Sequence, residues 1–272
     1  MTDRRYLRAA GGVAHESLRG ALDGVLFVPG RWCRVTAALA DLCATPGGAR
    51  DRQMLMGTRF CVITECDGSA FGFDGDEGYC GWIAEGALGD DGAVTHWVSA
   101  PATHLYAAPD IKEREHAALS MGARLCVTGE VGRFAVTTAG YVPARHLRRL
   151  GDWRDDPVSI ARDFLGTPYL WGGNSRAGID CSGLVQAVLR AQGRDCPGDS
   201  DLQSAMAGAD VVPGNEQAGD LIFWGGHVGL VSAPGRLIHA NAHHMAVTEE
   251  DLAVVEARAD EPVIRRLRPA VP

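Results

Sequence analysis

One stretch, residues 167–192, constrains the fold of this chain more than any other. An irregular glycine-rich loop leads there into a helix, and the two meet at Asp180-Cys181-Ser182. Asp180 is a favoured N-cap residue because its carboxylate can accept the first free amide protons of a helix. Apolar residues that share one helical face follow it: Leu184, Val185, Val188 and Leu189. The spacing predicts a helix with Cys181 in its first turn.

That position gives Cys181 a chemical meaning. The dipole and the unpaired amides at a helix N-terminus favour negative charge, so we expect the Cys181 thiol to ionise more easily than a free thiol. A cysteine nucleophile also needs a base. His227 is the candidate, because it opens the second of two apolar runs that flank Gly225-Gly226, a pattern that predicts a β-hairpin.

A third polar group follows in the strand-like run 237–240. Neighbouring antiparallel strands would place His239 beside His227, a spacing that lets one imidazole orient the other. Asn241 is close in sequence and is an alternative orienting group, as asparagine is in papain-like sites. The sequence leaves His239 and Asn241 both open for this role.

Composition and net charge limit the number of domains and the classes of binding partner that this chain can have. The 272 residues suit about two domains, or more if they are small, and the 46% hydrophobic and 22% charged content is that of a globular protein. A formal net charge of −8 does not favour a nucleic acid or an anionic membrane as partner. Charged residues interrupt every apolar stretch of residues 1–30, and no run approaches a membrane span, which predicts a cytoplasmic protein.

The cysteines and histidines are the residues that could form a disulfide or a metal site. The eight cysteines contain no Cys-x-x-Cys pair, so we expect buried reduced thiols at every position except Cys181. The histidines at 239, 243 and 244 lack a convincing fourth zinc ligand. We therefore expect neither a metal nor another cofactor.

Residues 31–150 show short strands, turns and a diverged internal repeat. Residues 55–62 match residues 119–126, and residues 78–83 match residues 140–144. Each copy has the size of a small closed barrel. A boundary is expected near residue 150, because two acids and Pro157 then open a helix.

These motifs resemble known families. The order Asp-Cys-Ser-Gly, Gly-His-Val-Gly-Leu and Ile-His-Ala over about residues 155–265 is similar to the NlpC/P60 cysteine peptidases of bacterial cell-wall metabolism. The repeat, with Gly-Tyr-x-Gly-Trp at 78–82, resembles bacterial SH3 domains. The resemblance implies an α+β fold, in which a papain-like NlpC/P60 domain follows two small all-β SH3-like barrels. The implied domains are an N-terminal arm at 1–30, SH3-like domains at 31–95 and 96–150, and the catalytic domain at 151–272.

The resemblance also implies a reaction. It makes Cys181 the nucleophile, His227 the base and His239 the orienting group. The arrangement looks like the γ-D-glutamyl-L-diamino acid endopeptidases, in which the first SH3-like domain closes one side of the groove. Such an enzyme accepts a murein peptide with a free N-terminal L-Ala and cuts after γ-D-Glu, so its substrate is a recycled fragment rather than intact wall.

Substrate contacts are implied on both sides of the nucleophile. Asp199 and Ser200 match the family position that holds the ammonium, although they could simply cap a helix over 201–207. Tyr169 flanks the nucleophile and is a possible oxyanion donor beside the backbone amide of Cys181.

Three further residues complete the expected substrate site. Asp180 and Ser182 can hold the substrate backbone and the D-Glu α-carboxylate. Tyr79, at the tip of the first SH3-like module, is either a lid contact or part of the barrel core.

Two other classes of function stay open at this point. One is another acyl-transfer enzyme on the same core, such as an amidase or an endopeptidase that acts on intact peptidoglycan, or a thioesterase. The other is a non-enzymatic wall-binding protein that uses its SH3-like pair, which the complete Cys181, His227 and His239 set disfavours. Both diaminopimelate and Lys stay open for the third substrate position, and the oligomeric state stays open as well.

Overall fold

A computed structural model describes residues 3–270 of the chain. The chain divides into two compact units, residues 1–150 and residues 151–272. The outermost residues of the expected arm and of the expected catalytic domain, 1–2 and 271–272, lie outside the described residues. Within 3–270, none of the helices combines the length and the apolar character that crossing a bilayer requires.

The chain before residue 30 forms a small sheet. Its strands are β1 (Ala9–Ala10), β2 (Val13–His15) and β3 (Leu26–Val28). Strand β1 pairs antiparallel with β2, and β2 pairs parallel with β3. Ala10, Val13 and Val28 pack against a buried cluster that includes Phe71 and Phe73, so the arm covers the first barrel.

The first barrel is a seven-stranded antiparallel sheet. Its strands are β4 (Arg31–Val35), β5 (Leu39–Cys43), β6 (Arg50–Leu55), β7 (Arg59–Cys66), β8 (Ser69–Asp74), β9 (Cys80–Ala84) and β10 (Leu88–Asp90). The order across the sheet is β10-β4-β7-β8-β9-β5-β6. Alternating residues of β4, β5 and β7 turn inward to a core that contains Leu42, Phe60 and Ile83, as half-buried strands require.

The second set of strands repeats this order of elements. Its strands are β11 (His96–Val98), β12 (Ala102–Tyr106), β13 (Glu115–Ser120), β14 (Arg124–Leu125), β15 (Val127–Val131), β16 (Phe134–Thr137), β17 (Gly140–Pro143) and β18 (Leu147–Arg149). They form a three-stranded sheet, β14-β11-β18, and a five-stranded sheet, β13-β12-β17-β16-β15. Met56, from the turn after β6, packs in the same buried cluster as Val98, Leu119 and Val142. The two halves of this unit therefore share a core.

The second unit combines helices with one sheet. Its elements are α1 (Pro157–Arg162), β19 (Asn174–Ser175), β20 (Gly178–Ile179), α2 (Cys181–Ala191), α3 (Ser200–Ser204), β21 (Gly208–Asp210), β22 (Leu221–Trp224), β23 (His227–Ala233), β24 (Arg236–Asn241), β25 (Ala246–Asp251), α4 (Leu252–Arg258) and β26 (Arg265–Pro269). The sheet has the order β21-β26-β22-β23-β24-β25. Helix α2 packs on β23 and β24, which positions its N-terminus at the hairpin.

The predicted fold class is confirmed, because an α+β unit follows a strand-rich one. The predicted helix at Pro157 is also present, and Asp156 caps it through hydrogen bonds to the amides of Val158 and Ser159. One expectation about the cysteines is wrong. Cys66 is exposed because it lies at the tip of the β7–β8 hairpin, and Cys43 and Cys126 are only half-buried.

Candidate active site

Asp180 joins the glycine-rich loop to helix α2. Its Oδ1 accepts hydrogen bonds from the Gly183 amide at 2.7 Å and from the Ser182 hydroxyl at 2.9 Å. Its Oδ2 accepts the Gly172 amide at 2.8 Å. Both carboxylate oxygens are thus engaged within the protein, and so is the Ser182 hydroxyl proton. These contacts give Asp180 and Ser182 a structural role at the helix start, and the substrate contacts that we expected of them stay a prediction.

The close packing of the loop on α2 also requires a glycine two residues after Cys181. A Cβ atom at Gly183 would lie 2.5 Å from the backbone oxygen of Gly173 and 2.5 Å from Oδ1 of Asn174. Real Cβ atoms do not approach backbone atoms so closely, so Gly183 lets the loop pack directly on the first helical turn.

Cys181 is the first residue of α2 and is only 7% exposed. The backbone amides of Val228 and Ser182 form hydrogen bonds with its sulfur. Val228 directly follows His227, so the sulfur lies at the start of β23, where the predicted base is found. Gln203 supports this turn from behind, because its amide donates to the Ser182 carbonyl oxygen at 2.9 Å.

The two predicted histidines are in contact. His227 begins β23 and His239 lies in the adjacent antiparallel strand β24. Nε2 of His227 is 2.8 Å from Nδ1 of His239. Asn241 instead donates from its amide to the Thr248 hydroxyl at 2.8 Å and accepts the His244 amide. Of the two orienting groups that the sequence left open, His239 is the one that contacts His227.

Glu250, a carboxylate that no sequence motif singles out, lies next to His239 and extends the hydrogen-bonded row that His227 and His239 begin. Oε2 of Glu250 is 2.8 Å from Nε2 of His239. Register explains the contact, since His239 pairs with Thr248 in β25 and Glu250 is two residues further along the same face. The run Thr248-Glu249-Glu250-Asp251 reads in sequence as a solvated strand edge, and only the pairing register distinguishes Glu250 from its neighbours.

The resting site is electrically neutral at the nucleophile and base. Burial raises the pKa of the Cys181 thiol to about 12, and the Asp180 carboxylate adds to the effect. Burial, together with His239 and Arg258, lowers the pKa of His227 to about 4. The expectation that Cys181 ionises more easily than a free thiol is therefore wrong for the resting site, because desolvation outweighs the helix N-terminus. If Cys181 is the nucleophile and His227 the base, as predicted, the proton must pass from the sulfur to the imidazole as the sulfur attacks.

These pKa values set a pH dependence. Only neutral His227 can accept a proton, so kcat/KM for any Cys181-dependent reaction should be level through neutral pH and fall tenfold per pH unit below about 4. Initial rates between pH 3 and pH 8 test this, with circular dichroism at each pH to verify the fold. An acid limb near 6.5, the ordinary histidine value, would contradict it.

Tyr169 lies close enough to Cys181 for the two groups to interact electrostatically. Burial, together with the neighbouring Cys181 and Asp180, raises the pKa of its phenol to about 12. Its backbone amide donates to the Met245 carbonyl at 2.9 Å, which fixes the loop before the nucleophile to the β24–β25 turn. The phenol therefore stays protonated and can donate a hydrogen bond, as its predicted oxyanion role requires.

The remaining predicted contacts differ in their surroundings. Asp199 is the N-cap residue of α3 by position, but its side chain makes no capping hydrogen bond, and Ser200 is the first helical residue. The helix is shorter than the expected 201–207. Tyr79 is 2% exposed and lies in the core of the first barrel, with the Arg52 guanidinium 5.0 Å from its ring centre. This is the core alternative, and it leaves the side chain almost no surface for a lid contact.

Two segments of the chain match known families. Residues 166–260 match the NlpC/P60 family, and residues 42–88 match the bacterial dipeptidyl-peptidase SH3 domain. The chain therefore carries an NlpC/P60 domain, of a family of cysteine peptidases, and a bacterial SH3 domain, as the motifs predicted. The second SH3-like barrel lies outside both matched ranges and stays a prediction.

Individual relatives agree with these matches. A protein of Bacillus subtilis (strain 168), named gamma-D-glutamyl-L-lysine dipeptidyl-peptidase, is 32% identical over 184 residues, which cover 60% of this chain and 60% of that protein. Dipeptidyl-peptidase 6 of Lysinibacillus sphaericus is 32% identical over 114 residues, 42% of each chain. The chain thus matches at most about three-fifths of the length of these two curated relatives.

A solved structure shares the fold. The crystal structure of an NlpC/P60 family protein from Bacillus cereus ATCC 10987 superposes with a TM-score of 0.75 at 21% identity. The match covers 88% of this chain and 99% of the other. At this identity the likeness establishes the fold and not the substrate.

Proposed function

We propose that this protein is a cysteine endopeptidase that hydrolyses the γ-D-Glu–diamino acid bond of murein peptides with a free N-terminal L-Ala. The carrying observation is the contact of His227 with His239 beside the buried Cys181, within a domain of a cysteine peptidase family. The Bacillus subtilis relative is named a gamma-D-glutamyl-L-lysine dipeptidyl-peptidase, and this name supports our choice of the bond after γ-D-Glu. Cell-wall recycling in the cytoplasm is part of this proposal.

The site supplies each step of the reaction. His227 takes the Cys181 proton while the sulfur attacks the γ-carbonyl of D-Glu, which gives a tetrahedral oxyanion. The Cys181 backbone amide and the Tyr169 hydroxyl donate to this oxyanion. Imidazolium His227 then protonates the leaving amine, and a thioester remains. Water, deprotonated by His227, hydrolyses the thioester and restores the thiol.

The neutral resting pair suits this sequence of steps. Because His227 has a low pKa, it transfers its proton readily to the departing amine once the C–N bond weakens. Because Cys181 has a high pKa, its thiolate is a strong nucleophile in the moment when it forms.

Mass spectrometry of products from a defined peptide tests the proposal. L-Ala-γ-D-Glu-meso-diaminopimelate and its L-Lys counterpart should each give the dipeptide L-Ala-D-Glu and the free diamino acid, and their relative rates define the third position. Intact sacculi and a muramoyl-linked peptide serve as comparison substrates. Release of the whole peptide from the muramoyl-linked substrate would replace the proposed reaction by an amidase, and equal cleavage of intact sacculi would replace it by a wall-cutting endopeptidase.

A further inference from the structure

Glu250 ends a row of hydrogen bonds that begins at the predicted base. Nε2 of His227 lies 2.8 Å from Nδ1 of His239, and Nε2 of His239 lies 2.8 Å from Oε2 of Glu250. His239 is 1% exposed, so water does not compete for either of its ring nitrogens. The row therefore has defined partners at every nitrogen between Glu250 and His227.

Glu250 itself is held by donors from several elements. Arg258, in α4, donates to both carboxylate oxygens, from Nη1 to Oε1 and from Nη2 to Oε2, each at 2.9 Å. His244 Nε2 lies 3.1 Å from Oε1, and the Thr248 hydroxyl donates to Oε2 at 3.3 Å. The hydrogen bonds from Arg258, and to a lesser degree those from His239 and His244, hold the pKa of the Glu250 carboxyl far below its usual range. An ionised carboxylate only accepts hydrogen bonds.

The direction of every proton in the row follows from that carboxylate. His239 must carry its proton on Nε2 to donate to Glu250, which leaves Nδ1 of the neutral ring as an acceptor. His227 must then donate from Nε2 to that acceptor, and its own Nδ1 keeps the lone pair. Since Nε2 is occupied, Nδ1 is the nitrogen that remains to take the Cys181 proton.

We propose that Glu250, clamped by Arg258, is a positioning residue that sets the tautomer of His239 and through it the tautomer of His227. This inference rests on the proposed function, because it assigns Glu250 a part in the deprotonation of Cys181. Glu250 touches neither the nucleophile nor the base and acts through His239. It also stabilises the imidazolium form that His227 takes in the reaction, as a carboxylate behind a histidine does in other hydrolases.

The chain offers a closely matched control for this residue. Glu249 precedes Glu250 in β25 but lies on the opposite face, where it binds Arg162 at 3.0 Å and the Ser232 hydroxyl at 2.6 Å. Glu249→Gln removes the same charge from the same strand and also weakens an ion pair. It leaves the histidine row untouched, so it reports the cost of losing a charge and an ion pair from the same strand.

Glu250→Gln is the informative variant. A glutamine amide presents one donor and one acceptor to Arg258 and His239, which both need acceptors in the native arrangement. The glutamine can face His239 Nε2 with either its oxygen or its NH₂ group, so it no longer requires a proton on that nitrogen. We expect kcat to fall by about 10- to 100-fold with KM unchanged, and Glu249→Gln to stay within about twofold of the native rate.

Nitrogen-15 NMR of the histidine rings reads the tautomers directly. In the native protein at pH 7, His227 and His239 should both carry the proton on Nε2 and none on Nδ1. In Glu250→Gln both rings should become mixed or reversed, while Glu249→Gln should match the native protein. The rate of Cys181 alkylation by iodoacetamide, followed by peptide mass spectrometry, should fall in Glu250→Gln alone.

Each outcome decides the matter. A native His239 with its proton on Nδ1 overturns the inference even if no variant folds. Native tautomers together with a native kcat in Glu250→Gln also overturn it. A native protein that cleaves no murein peptide defeats the proposed function instead, and the tautomers and the alkylation rate still decide the role of Glu250.

Discussion

We expect Cys181→Ala to abolish hydrolysis of the proposed substrate L-Ala-γ-D-Glu-diaminopimelate, with kcat/KM lowered by at least about 10⁴-fold. The reason is that the sulfur is the sole atom of the variant site that is lost, and the covalent step depends on it. Binding should persist, because the loop and helix around the nucleophile are held by Asp180 and Gln203 rather than by the sulfur. Product formation by mass spectrometry and peptide binding by calorimetry measure the two effects separately.

A second cysteine supplies the control. Cys66 is an exposed thiol in the strand-rich unit, and Cys66→Ala should retain the native rate. Cys66→Ala is also the background in which iodoacetamide labelling should be done, because it removes the exposed competitor for the reagent. Turnover by Cys181→Ala at more than a few per cent of the native rate would discard Cys181 as the nucleophile. A loss of native circular dichroism or of melting temperature would point to a structural role.

Acetylation of the substrate amine should have the next largest effect. The proposed substrate presents a free ammonium on L-Ala, and a protein site for an ammonium requires oxygen acceptors, including a carboxylate. Removal of one partner from a desolvated charge pair costs about 2–5 kcal/mol, so N-acetyl-L-Ala-γ-D-Glu-diaminopimelate should be cleaved about 30- to 5,000-fold more slowly. Steady-state kcat/KM on the free and the blocked peptide gives the ratio. Equal rates would favour an enzyme that cuts intact wall.

The same pair of peptides tests the residue expected to hold the ammonium. If Asp199 binds it, Asp199→Asn should slow cleavage of the free peptide and leave the slow cleavage of the blocked peptide unchanged. Asp201→Asn is the matched control, because Asp201 is an exposed acid in the same short helix. A loss that is equal on both peptides would assign Asp199 to the shape of α3 and not to the substrate.

Local signals predicted the nucleophile helix well. Asp180 caps it, and the apolar face that follows packs on the sheet, because N-cap chemistry and helical periodicity act over a few residues. The hairpin that carries His227 was equally predictable from the sequence, since two apolar strands flank Gly225-Gly226. The pairing of His227 with His239 followed from the neighbouring strands alone.

Non-local packing accounts for what the sequence did not reveal. Glu250 reaches His239 through the register of β24 and β25, which depends on the length and shape of the turn at 242–245. The strands before residue 30 were not predicted because the parallel pairing of β2 with β3 joins segments of little periodicity. Burial likewise reversed the expected pKa shift of Cys181, because the depth of a side chain depends on the whole fold.

The roles of Asp180 and Ser182 show a related limit. Carboxylate and hydroxyl groups beside Cys181 suggest substrate ligands, yet the Asp180 carboxylate accepts the Gly172 and Gly183 amides, and the Ser182 hydroxyl donates to that carboxylate. The side chain of a helix-capping residue forms hydrogen bonds with the backbone amides of that helix. Only the atomic contacts distinguish this use from the recognition of a ligand.

The uncharged state of Cys181 has a consequence for durability. Peroxide attacks thiolates far faster than thiols, so a sulfur that keeps its proton until a peptide arrives is shielded from conversion to sulfenic acid. Its near-complete enclosure adds a physical barrier to the same damage. The Cys181 sulfur is therefore expected to resist oxidation for as long as no substrate occupies the site.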